Sequence, residues 1–468
     1  MIAELVPYAE YKESGLPWLG QVPGHWETRP AFGAFVPNHE RNYGMKVRTV
    51  LSLSYGRIVI KAANKLHGLV PESFETYQIV NPGDIVLRTT DLQNDQSSLR
   101  VGMVRDRGII TSAYLALRTS LGVSPEFGFQ FLNVWDSSKA IYGYGSGLRQ
   151  NLDFSHFKRM PVAVPPPDEQ TAIVRFLDWA NGRLERAIRA KRRVIALLNE
   201  QKQAIIHRAV TRGLDPSVPL KPSGIPWLGE IPGHWEVRRL RHLIEGRLKY
   251  GANVAAEFTN PDWPRYIRIT DFRTDGSLKA DTFRSLPPSI ARDYMVDPGD
   301  ILLARSGATV GKAFLVVKLT GDGCHAGYLI RARPNRTLVS PEFLFAFTQS
   351  KAFSAWKDST FNTATIQNIG ADKYANLAVP LPALAEQQAI LHVVSVAQAP
   401  LLAAVSRLER EIEFLREYRT RLVADVVTGK LDVREAAPRL PDEAPLDSFE
   451  DGADLGDESD PAEEEVAV

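Results

Sequence analysis

The order of apolar and polar residues predicts short strands in two stretches of the chain, each followed by a long helix. Runs rich in aliphatic and β-branched residues, such as IVLRTT from Ile85 and ILLARS from Ile301, are separated by Pro-Gly, Asp-Gly and Gly-rich breaks. This pattern is typical of strands joined by turns. A proline cluster precedes each helical stretch, and acidic residues directly after the prolines favour a helix N-terminus. We therefore predict an α+β fold.

Both helical stretches repeat apolar residues with a period of seven, which is the pattern of a coiled coil. The predicted seam comprises Leu184, Ile188, Ile195, Leu198 and Ile205 in the first stretch, and Leu401, Val405, Leu408, Ile412, Leu415 and Leu422 in the second. Lys191, Lys202 and Arg419 weaken this seam, and Asn181-Gly182 is a point where an interruption or kink is expected. The alternative is that each helix packs only on its own domain.

The chain also contains a long internal repeat. SGLPWLGQVPGHWE at Ser14–Glu27 returns as SGIPWLGEIPGHWE at Ser223–Glu236, with 11 of 14 positions identical. Further pairs follow in the same order: NPGDIVLRT with DPGDILLAR, SPEF with SPEF, LRQNL with TIQNI, and VTRGLD with VTGKLD. Two equivalent halves predict two similar globular regions, separated by two helices that run antiparallel.

This organisation predicts five segments. They are a first globular domain with its opening segment (residues 1–165), a central helical spacer (166–214), a second globular domain (215–380), a C-terminal helical spacer (381–431) and an acidic tail (432–468).

Charge is distributed unevenly along the chain. Residues 432–468 contain 14 Asp/Glu and 2 Arg, a net charge of −12, which leaves +13 for residues 1–431. A basic body suits a polyanion such as nucleic acid. The tail is expected to be disordered. Its simplest role is solubility, and the alternative hypothesis is that it folds back on a basic DNA-reading face and suppresses nonspecific binding.

Other features bear on the cellular compartment. The single cysteine, Cys324, excludes an internal disulfide and a cysteine-rich metal site. The N-terminus lacks the pattern of a leader, and we find no run of about 18 apolar residues without a charge. We predict a cytoplasmic protein without a membrane span.

Catalytic motifs are incomplete. GATVGKA at Gly307–Ala313 resembles a phosphate loop, but one residue is missing between the glycines and alanine replaces the magnesium-binding Ser or Thr. NPDW from Asn260 lacks the second proline of the amino-methyltransferase signature. His25 and His234 occupy equivalent repeat positions, but neither belongs to a recognisable Ser-His-Asp or metal-ligand pattern, so a structural role is favoured. The sequence indicates a binding protein with no metal or catalytic site.

The ordered duplication resembles the specificity subunit of type I restriction–modification systems over residues 10–432. The resemblance rests on the motifs PWLGQVPGHWE and PWLGEIPGHWE, PGDIVLRT and PGDILLARSGATVGK, the paired QN segments, VPPPDEQ and LPALAEQQ. The first half departs from the pattern with RTTDLQNDQSSLRVG where the second has ARSGATVG, and the acidic tail is not part of it.

The resemblance implies that each globular region is a target-recognition domain that reads one half of a split DNA sequence. The paired helices would set the spacing and bind two modification subunits, which methylate adenine, and restriction subunits would also join. S-adenosylmethionine, ATP and Mg²⁺ are then expected in the partner subunits, with no cofactor in this chain. One alternative is a self-sufficient DNA methyltransferase or nuclease with two recognition domains, and another is a scaffold that only bridges proteins.

Loop position and residue type predict the DNA contacts, because Lys and Arg bind phosphates while Arg, Asn and Gln read base edges. The candidates are Arg88, Arg100, Arg105, Arg149, Gln150 and Asn151 in the first domain, and Arg305, Ser306, Lys312, Thr365, Gln367 and Asn368 in the second.

Overall fold

A computed structural model describes residues 5–61, 73–90, 92–93, 99–144, 151–273, 276–307, 309–360 and 368–441. The chain forms two compact units. The first contains residues 1–190 and 411–468, and the second contains residues 191–410. Each unit therefore includes part of both predicted spacers.

Short strands and three helices build the first unit before the long helix begins. Its helices are α1 (Ala31–Ala34), α2 (Pro125–Ser137) and α3 (Phe154–Phe157). Its strands are β1 (Tyr11–Glu13), β2 (Gln21–Pro23), β3 (Glu27–Pro30), β4 (Phe35–Pro37), β5 (Leu51–Ser54), β6 (Arg57–Ile60), β7 (Gln78–Val80), β8 (Ile85–Leu87), β9 (Val101–Met103), β10 (Gly108–Ile110), β11 (Leu115–Thr119) and β12 (Pro161–Val164).

The second unit has a similar, but not identical, order of elements. The long helix α4 (Pro167–Arg212) precedes α5 (Pro288–Ala291), α6 (Pro341–Thr348), α7 (Lys351–Thr360), α8 (Ala371–Ala375) and the second long helix α9 (Leu384–Val427). The strands are β13 (Leu220–Pro222), β14 (Glu230–Pro232), β15 (Glu236–Arg239), β16 (Lys249–Tyr250), β17 (Arg265–Ile267), β18 (Met295–Val296), β19 (Ile301–Ala304), β20 (Ala313–Leu315), β21 (Gly323–His325), β22 (Leu329–Ala332) and β23 (Ala378–Leu381).

The two units have matching sheets. A four-stranded antiparallel sheet has the order β4-β11-β8-β9 in the first unit and β16-β22-β19-β20 in the second. Beside it, β3 pairs with β12 and β15 pairs with β23. The units also differ: the first has the β5-β6 hairpin, whereas β17 and β21 form a parallel pair in the second. The predicted α+β fold with two related domains is confirmed.

The repeated opening segments form hairpins. β1 pairs with β2 and β13 pairs with β14, and the PWLG turn lies between the strands of each pair. Gly20 and Gly229 end these turns with φ of 66° and 69°, a left-handed conformation that favours glycine. Trp26 and Trp235 follow the hairpins and are fully buried in the core of their own unit. Each repeated opening segment is therefore a hairpin followed by a tryptophan that packs in the core of its own unit.

Helices α4 and α9 fall within the predicted spacers and pack antiparallel. In the first unit, the Arg419 guanidinium lies 3.2 Å from the Glu185 carboxylate. In the second unit, Gln398 donates to the Lys202 carbonyl at 3.4 Å. As residue numbers rise in one helix they fall in the other, which is the antiparallel arrangement that the duplication predicts.

The predicted seam is buried to different degrees along the helices. Leu184, Ile188, Ile412 and Leu422 are buried, whereas the other predicted seam residues are half-buried. The expected interruption at Asn181-Gly182 does not occur, since α4 is continuous from Pro167 to Arg212. Packing of the surrounding turns against the first unit's core offsets the weak helix propensity of glycine.

Helix α9 contains a longer stretch without charged residues than the sequence analysis led us to expect. Residues 387–406 contain no Asp, Glu, Lys or Arg, and by length and composition alone this helix could cross a membrane. Its inward face belongs to the helix pair and to the core of the second unit, through residues such as Ile390 and Val394. Val393 and Val396, by contrast, are exposed, and Pro400 lies inside the helix on the solvent side. No described residue covers this apolar surface of the helix.

Candidate nucleic-acid interface

A glutamate at the start of each long helix holds the preceding opening segment in place. Glu169, in the first turn of α4, accepts hydrogen bonds from Trp26 Nε1 at 2.9 Å and His25 Nε2 at 2.8 Å. Glu386, in the first turn of α9, makes the same contacts with Trp235 at 3.0 Å and His234 at 2.9 Å. We call these two clusters the first and second hub. Both histidines thus have the structural role that the sequence analysis favoured.

The glutamine after each hub glutamate ties the helix to the SPEF segment of its own unit. Gln170 accepts from the Ser124 amide at 2.8 Å and donates to the Gly122 and Pro165 carbonyls. Gln387 accepts from the Ser340 amide at 2.8 Å and donates to the Leu338 and Pro382 carbonyls. The repeated Glu-Gln pair therefore joins two other repeated motifs.

The PGD motif is structural as well. Asp84 accepts from the Asn81 amide and from Arg118 Nε at 3.1 Å. The buried Asp300 accepts from the Asp297 amide and from two nitrogens of Arg333, at 2.8 and 2.7 Å.

Each PGD glycine also has a conformational reason to recur. Gly83 and Gly299 have φ of 92° and 100°, where side chains are disfavoured. The motif is thus a rigid turn that introduces β8 or β19.

The segment that resembles a phosphate loop is a turn between two antiparallel strands. It joins β19 to β20, and the Gly311 amide donates to the Ala304 carbonyl at 3.0 Å. A phosphate loop needs a following helix whose N-terminus faces the phosphates. This segment does not supply that geometry.

In the second unit, several predicted contacts meet at the end of β19. The Arg305 guanidinium stacks on the Tyr250 ring, 4.9 Å from its centroid. Ser306 forms a β-bridge with Asn368, and the Arg305 carbonyl accepts from the Ile369 amide at 2.8 Å. The Arg305 amide donates to the Tyr328 carbonyl at 3.0 Å. We call Tyr250, Arg305, Ser306, Tyr328 and Asn368 the second reading edge.

The second reading edge is chemically suited to nucleic acid. Tyr250 and Tyr328 are 43% and 64% exposed, and Asn368 is exposed beside them. Lys312 is exposed on the neighbouring strand end, where its carbonyl accepts from the Ala304 amide at 2.8 Å. Exposed aromatic rings, a guanidinium, an amide and an ammonium together can stack on sugars or bases and bind phosphates. Sequence reasoning missed both tyrosines, although Lys249-Tyr250 is a basic-aromatic pair.

The first unit has the same frame, in the register that the aligned NPGDIVLRT and DPGDILLAR motifs give, so the candidate Arg88 is not the counterpart of the candidate Arg305. The Thr89 carbonyl accepts from the Leu152 amide at 2.8 Å, as the Arg305 carbonyl does from Ile369. Thr89, and not Arg88, therefore occupies the position of Arg305. Arg88 corresponds to Ala304, because its amide donates to the carbonyl of Arg100 as the Ala304 amide donates to that of Lys312. Thr89 itself is buried, and its hydroxyl donates to the Ala113 carbonyl at 3.3 Å. We call Thr90 and Asn151 the first reading edge.

Arg100 does not lie at the surface, contrary to the prediction that it contacts DNA. Its side chain is 0% exposed, and its guanidinium donates to the Thr90 carbonyl at 2.9 Å, to the Arg88 carbonyl at 3.2 Å and to the Tyr142 hydroxyl at 3.2 Å. A buried charge is retained only where hydrogen bonds satisfy it. Arg100 thus supports the first reading edge from below, whereas its counterpart Lys312 faces solvent.

Arg105 lies away from the first reading edge. β9 runs antiparallel to β8, with Val101 opposite Leu87 and Met103 opposite Ile85, so Arg105 lies past the opposite end of β8 from Thr89. Its charge acts on Asp178 of α4: burial raises the pKa of Asp178, and Arg105 opposes that rise. This position does not support Arg105 as a partner of Asn151 in reading DNA.

Four predicted contacts cannot be placed. Arg149, Gln150, Thr365 and Gln367 lie outside the described residues. Their described neighbours Asn151 and Asn368 are both exposed. These six residues remain predictions.

Known proteins are similar to this chain in sequence. Residues 232–413 match the family described as Type I restriction modification DNA specificity domain. The type I restriction enzyme MjaVIII specificity subunit of Methanocaldococcus jannaschii is 23% identical over 382 residues, which cover 76% of this chain and 81% of that protein. The EcoKI specificity subunit of Escherichia coli is 25% identical over 213 residues, 43% of this chain and 44% of that protein.

A solved structure, described as "Structural basis underlying complex assembly and conformational transition of the type I R-M system", shares the fold. It superposes with a TM-score of 0.55 at 16% identity, over 88% of this chain and 99% of that chain. The matched domain, the relatives and the duplicated frame agree with one another. Residues 232–413 therefore match a type I restriction–modification DNA specificity domain, and the chain is similar to specificity subunits of these systems.

Proposed function

We propose that this chain reads a bipartite DNA target, one half-site with each reading edge, and delivers it to adenine-methylating modification subunits. One observation carries the proposal: the two units have the same hubs and PGD turns, yet different side chains at the reading edges. A common frame with different edges is what two unlike half-sites require. Direct readout depends on the identity of a few side chains in a groove, while the frame only positions them.

The edges differ in chemistry. Arg305 and Ser306 stand in the second unit where Thr89 and Thr90 stand in the first. An arginine suits the two acceptors of guanine, whereas Thr89 is buried and Thr90 offers one hydroxyl and one methyl. The half-sites are therefore expected to differ in sequence, and Arg305 to require a specific base pair.

The two long helices, which contribute residues to both units, are proposed to set the number of base pairs between the half-sites. Exposed apolar residues of α9, among them Val393 and Val396, are proposed to dock modification subunits. Apolar patches on a helix are common in permanent interfaces. Restriction subunits would join the same complex.

S-adenosylmethionine, ATP and Mg²⁺ are proposed to bind the partner subunits. In this chain β19 and β20 pair antiparallel, so the connection between them is not the strand-to-helix connection of a phosphate loop. Among the described residues there is also no group of three or more His, Cys, Asp or Glu side chains that could hold a metal ion. We propose a cytoplasmic location for the chain.

Mapping methylated adenines genome-wide, in cells with and without this chain, tests the proposal. We expect methylation at one split sequence that disappears with the chain. Arg305→Ala is expected to relax the required sequence in one half-site only, with a loss of about 1–3 kcal/mol in discrimination. The substitution Arg149→Ala with Gln150→Ala is expected to do the same in the other half-site. Methylation by the purified chain alone would contradict the division of labour.

Partner docking has its own test. Val396→Asp is expected to abolish co-purification with the modification subunits, because a charge in an apolar interface must be desolvated. Ser395→Asp is the matched control, since Ser395 is also exposed on α9. Equal loss of binding in both variants would contradict an apolar docking surface.

A further inference from the structure

Two exposed arginines in the second unit share one hydrogen-bond acceptor. Arg239 ends β15, and Arg241 lies two residues later. Both guanidinium groups donate to the amide oxygen of Asn376, at 2.8 and 2.9 Å. Arg241 Nε also donates to Nε2 of His242 at 3.2 Å, a nitrogen that accepts because a guanidinium can only donate. We call Arg239 and Arg241 the arginine pair.

The arginine pair places two like charges beside a neutral group. Among the described residues, no carboxylate oxygen lies within 4.0 Å of either guanidinium. The neighbouring Arg238, by contrast, pairs with Glu236 at 2.9 Å. Like charges so close together repel each other, and an anion bound between their remaining N–H groups relieves the repulsion. The planar N–H donors of arginine match two oxygens of one phosphate.

Helix α8 connects the arginine pair to the second reading edge. At its start, the Ala371 amide donates to the Tyr250 hydroxyl at 2.9 Å. Within the helix, the buried Tyr374 fixes it to the end of β19 by donating to the Ala304 carbonyl at 2.8 Å. At its end, Asn376 holds the arginine pair. The helix rises by roughly 8 Å from Ala371 to Asn376, which corresponds to about two base-pair steps of DNA.

The first unit is basic at the equivalent place through other residues. β15 pairs with β23 in the register in which β3 pairs with β12. In that register Pro30 and Phe32 replace the arginine pair, and Arg159 replaces Asn376. Arg159 is exposed, and so is Lys158 before it. Positive charge is thus present at this place in both units, although it comes from a different segment in each. A need for charge, and not for one packing contact, accounts for that exchange.

We propose that the arginine pair binds a phosphate of the DNA backbone beside the second half-site, and that Lys158 and Arg159 bind the corresponding phosphate beside the first. The inference rests on the proposed function and adds to it a site that holds the duplex in register with each reading edge. Phosphate contacts orient a protein on DNA but carry no sequence information. The arginine pair is therefore expected to contribute affinity for every DNA sequence.

The acidic tail does not enter this site. The hypothesis that it covers a basic DNA-reading face stays a prediction, because residues 442–468 lie outside the described part of the chain.

Three variants of the full chain separate charge from packing. Arg239→Gln with Arg241→Gln removes both charges, and Arg238→Gln on the same strand is the matched control. Asn376→Asp keeps both arginines but supplies a carboxylate where the phosphate is expected. Affinity is measured for a duplex with the target mapped by methylation and for an unrelated duplex, at salt concentrations from about 50 to about 200 mM.

We expect the double Gln variant to bind both duplexes about tenfold more weakly at the lowest salt concentration. The slope of log affinity against log salt concentration should decrease in size by about 1. Asn376→Asp is expected to weaken binding by a similar factor without lowering the thermal unfolding temperature, because its carboxylate pairs with both guanidinium groups. Arg238→Gln should stay within about twofold of the unchanged chain, since Glu236 already pairs with that charge. Unchanged DNA affinity of Asn376→Asp would make the arginine pair structural and overturn the proposal.

Neutral phosphates in the DNA locate the contact. A methylphosphonate replaces one phosphate at a time along the target duplex, and the second half-site is the one in which Arg305→Ala relaxes the sequence. We expect one position within about three base pairs of that half-site where the replacement weakens binding of the unchanged chain about fivefold and has no effect on the double Gln variant. The proposal is wrong if no position shows this coupling, or if the coupled position lies beside the other half-site.

Failure of the proposed function would look different. In that case no variant would prefer the target over the unrelated duplex, and the three variants would still test the arginine pair on unrelated DNA.

Discussion

The two hubs use the same His, Trp and Glu residues but differ in burial. In the first hub the Glu169 side chain is 2% exposed, and the Tyr8 hydroxyl donates to it as a third partner. In the second hub the Glu386 side chain is 29% exposed, with His234 and Trp235 as its partners. The carboxylate of the same motif is thus buried in one unit and partly solvated in the other.

The difference comes from both ends of the chain. Tyr8 belongs to the N-terminal segment, and the Arg434 guanidinium lies 5.0 Å from its ring while pairing with Asp432. Burial, together with the hydrogen bond to Glu169, raises the pKa of Tyr8. Residues beyond the repeat, from the two termini, cover the first hub. Two copies of the same motif can therefore contribute different amounts to the free energy of unfolding.

Removing the hub carboxylates is expected to have the largest effect. Glu169→Ala leaves two buried donors, the Tyr8 hydroxyl and the Trp26 indole, without an acceptor, and we expect a loss of about 3–5 kcal/mol in the free energy of unfolding. Glu386→Ala is expected to cost about 1–2 kcal/mol, because water can replace the carboxylate. Urea denaturation combined with hydrogen exchange of each unit measures both. Equal losses would contradict the effect of burial.

Substitutions of the equivalent residues Arg100 and Lys312 are expected to differ by an intermediate amount in their effect on stability. They occupy equivalent positions, but Arg100 is buried and Lys312 is exposed. Arg100→Met is expected to cost about 2–4 kcal/mol of stability because three acceptors lose their donor. Lys312→Met should change stability by less than about 0.5 kcal/mol and weaken DNA binding instead. Thermal unfolding and DNA titration distinguish these outcomes, and a stable Arg100→Met protein would contradict a supporting role.

A pH dependence is the smallest expected difference. His325 is buried in β21 and occupies the place that Ile110 has in β10, and burial lowers the pKa of His325. The unfolded chain, with a histidine pKa of about 6.5, then binds more protons than the folded chain below that pH. Stability of the second unit is therefore expected to fall as pH decreases through about 6.5 toward the lowered folded value.

Hydrogen exchange at pH 7 and pH 5 measures this pH dependence. We expect the second unit to lose more protection at pH 5 than the first. His325→Gln should flatten the pH dependence, whereas an unchanged slope in this variant would assign the effect to another group.

Much of the fold was predictable because it depends on local or repeated signals. The heptads of α4 and α9, the proline clusters before them and the Gly-dependent turns act through neighbouring residues, and the structure has each of them in place. The duplication also predicted that the helices run antiparallel. A twofold axis perpendicular to two equivalent helices maps each helix onto the other with its direction reversed.

The site was harder to predict. Tyr250 and Arg305 are 55 positions apart in the sequence and meet only because β16 and β19 both pair with β22. Arg88 and Arg100 had the right residue type, but side-chain direction and burial depend on strand register, and one step of register exchanges inside and outside. The sequence also showed no sign of the ion pairs between Asp84 and Arg118 and between Asp300 and Arg333.

By itself the sequence determined the duplicated plan, the positions of the long helices, the charge asymmetry of the tail and the family resemblance. Tertiary structure alone decided which repeated residues support the frame and which side chains reach the surface. The physical reason is the range of the interactions: propensity, capping and periodicity act within a few residues. Burial and hydrogen bonding of a side chain, in contrast, depend on partners that folding brings together from any part of the chain.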